Sequence, residues 1–301
     1  MRKHMMGTIL NFGSVNIDHV YSVPHFVRPG ETLASTAYKV FSGGKGFNQS
    51  TALARAGARV AHAGKIGADG AWLRDALAKD GADVSLLESC GDPTGHAVIQ
   101  VDESGQNCII IYGGANRAIT PADAESVLSH FGEGDTLLVQ NETSSIPEMM
   151  RAAHARGLSI AFNPAPMGPE VAGYPLDLVD LFIVNEVEAA GLAGFPAGAA
   201  KVPGAILDAL RATFPRAGIL LTLGAAGSVA DIRGERIAVQ ARKVEAVDTT
   251  AAGDTYIGYF LAAIQRGAAL REAMTDATEA AAVCVTRPGA APSIPRLNGP
   301  Q

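Results

Sequence analysis

Strand-like apolar runs alternating with alanine-rich helical segments constrain this chain more than any other feature of its sequence. The runs are Thr8–Gly13, Val60–Ile66, Thr136–Val139, Ser159–Asn163, Leu181–Val184 and Ile219–Leu223. Segments with helical spacing follow them: Phe47–Ala56, Gly70–Lys79, Ile146–Ala155, Ala205–Thr213, Gly253–Arg266 and Leu270–Val285. Gly57, Gly81, Gly157 and Gly267 stand where a left-handed residue closes a helix. Strands joined by helices run parallel, with the helices covering both faces of the sheet. The expected fold is therefore a doubly wound, mainly parallel α/β sheet, with ligands at the carboxyl ends of its strands.

Two regions depart from this alternation. Tyr21–Phe41 and Thr94–Tyr112 read as strands without a following helix, and Glu103-Ser104-Gly105 reads as a hairpin turn. They are expected to form a small antiparallel sheet, spanning about 18–41 and 94–112, on a single domain covering 1–301. Such an appendage can serve as a lid that excludes water from a site at the sheet edge; the plainer alternative is a decorated edge.

Composition removes several function classes. With 48% hydrophobic and 18% charged residues the chain is neither collagen-like, coiled-coil nor disordered. Its 24 basic against 30 acidic residues give a net charge of −6, which argues against a broad nucleic-acid surface. Cys90, Cys108 and Cys284 lack the spacing of a disulfide framework or a zinc site. Arg2 and Lys3 before Met5–Leu10 imitate a leader, but Gly7, Asn11 and Asp18 fit a first strand better. No stretch approaches the roughly 18 apolar residues of a membrane span, so a cytoplasmic location is expected.

Two glycine-rich segments carry the chemistry. Ser42-Gly43-Gly44-Lys45-Gly46-Phe47-Asn48-Gln49 follows a strand and opens a helix, a place where backbone amides can point outward at a positive helix end. It is not a Walker A loop, because Lys39 and Gly46 occupy the positions that need Gly and Ser or Thr. Asp248-Thr249-Thr250-Ala251-Ala252-Gly253-Asp254, expected after a strand Arg236–Ala246, leads into another helix. Small residues there would bare the first amides to a transferring phosphoryl group, and Asp254 would accept the proton of an attacking hydroxyl. The alternative is an acidic residue that only favours the helix dipole, worth about 0.3–1 kcal/mol.

GSVNID, SGGKGFNQ, QNET, NPAP, NEVE, LTLGAAGS, VDTTAAGD and TRPGAAPS occur in this order between about Leu10 and Pro295. Together they resemble the PfkB carbohydrate kinases, and the ribokinases within them. The resemblance implies the ribokinase-like fold, a β lid that often forms a homodimer interface, and transfer of the ATP γ-phosphoryl to a primary hydroxyl of a small sugar, with ribose and its 5-hydroxyl the leading substrate. Asp254 would be the general base, with Ala252 and Gly253 amides as the anion hole. Asn16, Asp18, Gly44, Lys45, Asn48 and Glu142 would bind the sugar. Asn185 and Glu188 would order water around Mg²⁺, and Thr222, Gly224 and Gly227 would line the nucleotide site. A potassium ion would sit against Asp248, Thr250, Cys284, Arg287, Gly289 and Ser293, largely through carbonyl oxygens.

Thr278 departs from the family, which often carries His there, and Asn141 stands where an apolar residue is expected. Asp69, in Gly67-Ala68-Asp69-Gly70, reads as a helix N-cap. A nucleoside kinase is the closest rival, with Phe26, Tyr38, Phe41 and Tyr112 as candidate lid aromatics. A non-catalytic sugar or nucleotide sensor is the rival of another class, and a dinucleotide oxidoreductase is disfavoured because Gly13-Ser14-Val15-Asn16 lacks the further glycines.

Overall fold

The computed structural model describes residues 7–195 and 202–297, so Arg2, Lys3 and Met5 of the leader-like run lie outside the described residues. The chain opens with β1 (Ile9–Phe12), β2 (Asn16–Ser22), β3 (Ala37–Gly43), α1 (Lys45–Arg55), β4 (Val60–Ile66), α2 (Ala71–Asp80) and β5 (Asp83–Ser89). Then come β6 (Gly95–Val101), β7 (Asn107–Tyr112), α3 (Pro121–Leu128), β8 (Thr136–Gln140), α4 (Ile146–Ala155), β9 (Ser159–Asn163), β10 (Leu181–Asn185) and α5 (Glu186–Leu192). It closes with α6 (Pro203–Thr213), β11 (Gly218–Thr222), β12 (Ser228–Ile232), β13 (Glu235–Val239), α7 (Ala252–Gln265) and α8 (Leu270–Val285).

Nine strands form the main sheet in the order β13-β12-β11-β10-β9-β8-β1-β4-β5. Every pairing from β11 to β5 is parallel, and β12 and β13 add an antiparallel edge. Alternate residues of the central strands feed two separate cores. Ile9, Leu138, Ile183 and Leu220 pack with Phe47, Leu53, Phe260 and Met274 of α1, α7 and α8. Leu10, Leu137, Val139 and Phe182 pack with Leu128, Met149 and Leu207 of α3, α4 and α6. Burying each such side chain is worth about 1.5–3 kcal/mol, so strands apolar on both sides are the ones that helices can cover twice.

After β1 the chain adds β4 and β5 on one flank, then β8 to β11 on the other. The strand order reverses between β1 and β8, and the space beyond the carboxyl ends of such strands is the usual ligand position in such a sheet. The four-stranded second sheet, ordered β3-β2-β6-β7, rises from that same edge.

Several expectations change in detail. The second sheet is mixed, because β2 and β6 pair in parallel while β3 and β7 flank them antiparallel. Both inner strands leave the carboxyl edge of the main sheet, β2 after β1 and β6 after β5, so they run outward side by side. The Glu103-Ser104-Gly105 turn forms as expected, with Gly105 at φ 80° and Asp102 accepting from the Ser104 and Gln106 amides. The strand expected over Arg236–Ala246 stops at Val239, since its partner β12 begins at Ser228 and offers nothing to pair beyond that register. Asp69 caps no helix; its carboxylate accepts from the Thr94 amide (3.0 Å) and hydroxyl (2.6 Å), tying the base of the second sheet to the main one.

Candidate active site

Close approach at the β1–α1 junction builds the first half of the site. A Cβ on Gly46 would sit 2.6 Å from the Gly13 Cα, so only glycine lets α1 start against the end of β1. Gly44 precedes the helix at φ 90°, a conformation glycine adopts without strain. The first amides of α1 do not point outward to a ligand, as the glycine-rich pattern suggested. Lys45 N–H donates to Glu142 Oε2 (2.9 Å), Gly46 N–H to Ser14 Oγ (3.1 Å) and Phe47 N–H to the Ser14 carbonyl (2.8 Å). The Ser14 hydroxyl in turn donates to the same Glu142 oxygen. Glu142 thus caps α1 from the end of β8, and burial pushes its carboxyl up despite Lys45 and these donors.

Asn16 and Asp18 lie on one face of β2, above this junction. Asn16 Oδ1 accepts from the buried Asn116 Nδ2 (2.7 Å), and Asn116 Oδ1 accepts from the Val15 amide (3.0 Å). Burial, and then the nearby Glu142, push the Asp18 carboxyl up to about 7. Gly43 on the neighbouring strand leaves room for that carboxylate, which any Cβ there would strike. Cross-strand register puts Phe41 on this face beside Asp18. Tyr38 and Tyr112 share the opposite face with Tyr21, His19 and His96, with which they make ring contacts.

Asp254, in the first turn of α7, forms the centre. It is buried, and its two oxygens accept from Asn48 Nδ2 (3.1 Å) and Gln49 Nε2 (2.9 Å) of α1. Asn48 Oδ1 is buried without a partner among the described residues. Burial opposes the charge on Lys45, but Asp254, Glu142 and Glu188 outweigh it and hold the amine above the ordinary lysine value. Ala251, before the helix, takes a left-handed φ of 60°. Of the two amides expected in the anion hole, that of Ala252 donates to the Thr249 carbonyl (3.2 Å). The Gly253 and Asp254 N–H groups have no acceptor among the described residues, and the Cα hydrogens of Gly253 face open space.

A cavity of about 520 Å³ is lined by Ala252 and Gly253 and also by Thr222, Gly224, Gly227 and Thr278. Gly227 sits at φ 101°, where a Cβ would meet the Val239 carbonyl. The Thr278 hydroxyl donates to the Met274 carbonyl one turn back (2.8 Å). Asn185 lies outside this cavity. It caps α5, its Oδ1 accepting from the Val187 and Glu188 amides (2.9 Å each), while Glu188 accepts from Asn185 N–H (3.0 Å) and Nδ2 (2.8 Å). Glu188 also accepts from Asn163 Nδ2 (3.2 Å), and burial leads the effects that raise its carboxyl.

Behind the 248–254 loop, the residues expected at a monovalent cation converge. Asp248 accepts from the Thr250 and Gly289 amides (2.9 Å each), and the Cys284 thiol reaches the Thr250 carbonyl (3.7 Å) and Ser293 Oγ (3.0 Å). The Arg287 amide donates to the Cys284 carbonyl (3.1 Å). Burial comes first among the influences on Asp248, but its donors prevail and hold the carboxyl below the usual range.

Ser14, Gln49, Asn116 and Asn163 belong to the site although sequence reasoning gave them no role. Three of them stand inside motifs already singled out: GSVNID, SGGKGFNQ and NPAP. Asn141 faces away from it, donating to the Pro166 carbonyl (2.8 Å) and Glu170 (2.7 Å) and accepting from Tyr174 (2.8 Å).

The fold has close counterparts. The chain is 37% identical over 300 residues to the ribokinase of Haemophilus influenzae, covering 97% of this chain and 96% of that protein. The structure of ribokinase from Cryptococcus neoformans in complex with ADP matches with a TM-score of 0.85 at 35% identity, over 97% of this chain and 98% of that one. Arabidopsis thaliana ribokinase complexed with ribose and ATP matches with a TM-score of 0.84 at 30% identity, over 96% of each chain. The family model described as pfkB family carbohydrate kinase matches residues 6–297, and the chain belongs to that family.

Proposed function

We propose that this protein transfers the γ-phosphoryl group of ATP to the 5-hydroxyl of D-ribose. One observation carries the reading: a buried carboxylate, Asp254, stands beside two backbone N–H groups without acceptors among the described residues, next to Gly253, which lines a cavity large enough for a nucleotide. Asp254 accepts the proton of the attacking hydroxyl, and the N–H groups of Gly253 and Asp254 receive the charge that spreads over the phosphoryl oxygens. Asn16, Asp18, Gly44, Lys45, Asn48 and Glu142 surround the sugar. The unpartnered Asn48 Oδ1 suits a donor hydroxyl, and the Lys45 amine supplies donors. Thr222, Gly224 and Gly227 line the nucleotide side.

Glu188 fits magnesium in one respect: a single oriented carboxylate, with no cluster of three acidic, His or Cys ligands among the described residues, suits an ion kept in its water shell. Bound there, magnesium neutralises phosphate charge. Around Asp248 the donors are oxygens, one carboxylate and carbonyls, which suits a hard cation such as potassium that shapes the 248–254 loop. The second sheet acts as a lid over the sugar. Its edge strand β7 is exposed along its whole length, Ile110 and Ile111 included, and a second copy of the chain is its occupant. A monomeric mass by light scattering would refute that dimer. An ATP-dependent reaction fits a cytoplasmic location.

The deciding experiment is ADP release with ATP and magnesium against a panel of pentoses, hexoses and nucleosides. Ribose should be preferred. Nucleoside preference would favour the rival kinase, for which Phe41 shares the Asp18 face while Tyr38 and Tyr112 lie on the opposite one. Asp254→Asn should bind ATP but turn over about 10²–10⁴-fold more slowly. Replacing potassium with sodium should lower the rate without unfolding the protein.

A further inference from the structure

Four buried amide side chains, Asn11, Gln140, Gln49 and Asn163, connect the strand ends to Asp254 through Gln49, and the polarity of the network follows from its anchors. Asn11 Nδ2 donates to the Gly46 carbonyl (2.8 Å) and Ser50 Oγ (2.8 Å), so Asn11 Oδ1 must be the acceptor facing Gln140 Nε2 (2.9 Å). Gln140 Nε2 spends its second hydrogen on Gln49 Oε1 (2.7 Å). From the other end, Asn163 Nδ2 is committed to the Ile183 carbonyl (3.0 Å) and Glu188 (3.2 Å), which turns Asn163 Oδ1 toward Gln49. Both directions of argument leave Gln49 Nε2 one orientation: donating to Asn163 Oδ1 (3.2 Å) and Asp254 Oδ1 (2.9 Å). With Asn48 on the other oxygen, Asp254 faces two donors on the protein side.

We propose that Gln49 is a positioning residue for the phosphoryl transfer: fixed by Gln140 and Asn163, it holds the Asp254 carboxylate in the orientation that accepts the sugar proton. This rests on the reading of Asp254 as the base. Gln49 itself is fully buried and lines neither the nucleotide cavity nor the face of β2 that carries Asn16 and Asp18. Its effect therefore falls on the chemical step rather than on affinity. The other charged or titratable groups whose fields reach Asp254 are Lys45, Glu142, Glu188 and Cys284, and none of them bonds to Gln49.

Gln49→Met keeps the length and removes the donor. It should lower kcat by about 10²-fold while KM for ribose and ATP stays within about twofold. Gln49→Glu puts a second carboxylate where the donor stood and should lower kcat further. In an Asp254→Asn background, Gln49→Met should cost nothing more, because the group it orients is gone. Wild-type kcat in Gln49→Met, or an undiminished second loss in the double variant, would overturn the proposal. If Gln49→Met does not fold, Gln140→Met decides: freeing Gln49 to turn should lower kcat by about 5- to 10-fold at unchanged KM, and wild-type kcat would refute it. Normal turnover in Asp254→Asn alone refutes the base assignment instead.

Discussion

Gly258→Ala should damage catalysis from a position that touches no substrate. Gly258 lies one turn after Asp254 on the same face of α7, pressed against α1. A Cβ there would sit 2.8 Å from the Leu53 amide nitrogen and 2.9 Å from the Ala52 carbonyl carbon, and nearer still to the Ala52 Cβ. Ordinary carbon contacts need about 3.5–4.0 Å, so the helices must separate by about 1 Å. Ala52 and Leu53 are fully buried, and the obstacles are a Cβ and backbone atoms, none of which can swing aside. Alanine gains about 1 kcal/mol of helix propensity over glycine, and overpacking costs about 1–3 kcal/mol. The net loss of stability is then about 0–2 kcal/mol, a fall of at most about 8 °C in Tm. The functional effect is larger. Hydrogen bonds of 3.1 and 2.9 Å from Asn48 and Gln49 to Asp254, stretched by about 1 Å, leave hydrogen-bonding range, and such a misplacement costs about 10²-fold in kcat. The assay pairs steady-state kinetics with a thermal melt. Gly191→Ala is the control, since its Cβ would meet only the flexible Met167 side chain, and kcat should stay at wild type. Wild-type kcat in Gly258→Ala would refute the claim that the α1–α7 spacing sets the base.

Burial of His62, whose Nδ1 is 2.7 Å from Ser50 Oγ, pushes its imidazole down to about 4 from 6.5. The folded state then binds fewer protons than the unfolded one between pH 4 and 6.5, so stability present above pH 6.5 falls by about 3 kcal/mol as pH drops through that window. Denaturant melts of wild type and His62→Gln should diverge there, and parallel curves would contradict it. Asp18 has the opposite sign: a carboxyl raised to about 7 favours the fold while protonated, and its contribution fades as pH rises from 3.8 through 7. Asp18→Asn should thus raise Tm at pH 8 more than at pH 5 while increasing KM for ribose, and a lower Tm at pH 8 would count against this. Gly253→Val places methyl groups in open space at the cavity lining, so it should raise KM for ATP and lower kcat with little change in Tm. Unimpaired ATP kinetics in that variant would argue that the phosphates lie elsewhere.

The sheet was legible where both faces of a strand are apolar. Val60–Ile66 and Ser159–Asn163 are strands over the expected residues, and Ile146–Ala155 and Leu270–Val285 are helices over theirs. β5 was missed because Asp83–Ser89 is an edge strand with one half-wet face. Helix α3 announces itself only through its Thr120–Asp123 capping box and Pro121, and α5 through the Asn185–Glu188 box, whose residue types equally fit a ligand site. Parallel pairing of β2 with β6 depends on where both strands leave the main sheet, which no local spacing encodes.

The site divides in the same way. Asp254, Lys45 and Asn48 are conspicuous because charged or amide groups beside glycines need a partner. Ser14, Asn116 and Gln49 are neutral, fully or nearly buried, and indistinguishable in a sequence from polar residues on a wet helix face. Yet the geometry requires them. A helix end without a side-chain cap of its own needs Ser14 and Glu142 to accept its amides, and a buried carboxylate without a bonded cation needs amide donors. α1 meets both demands within a single turn: its backbone is held by the β1 and β8 ends, and its next two side chains hold the base. The backbone of the glycine-rich segment is therefore better understood as a device for bringing α1 within bonding distance of α7 than as a row of amides open to a ligand. Gly46 leaves α1 no slack against the end of β1, and Gly258 leaves it none against α7.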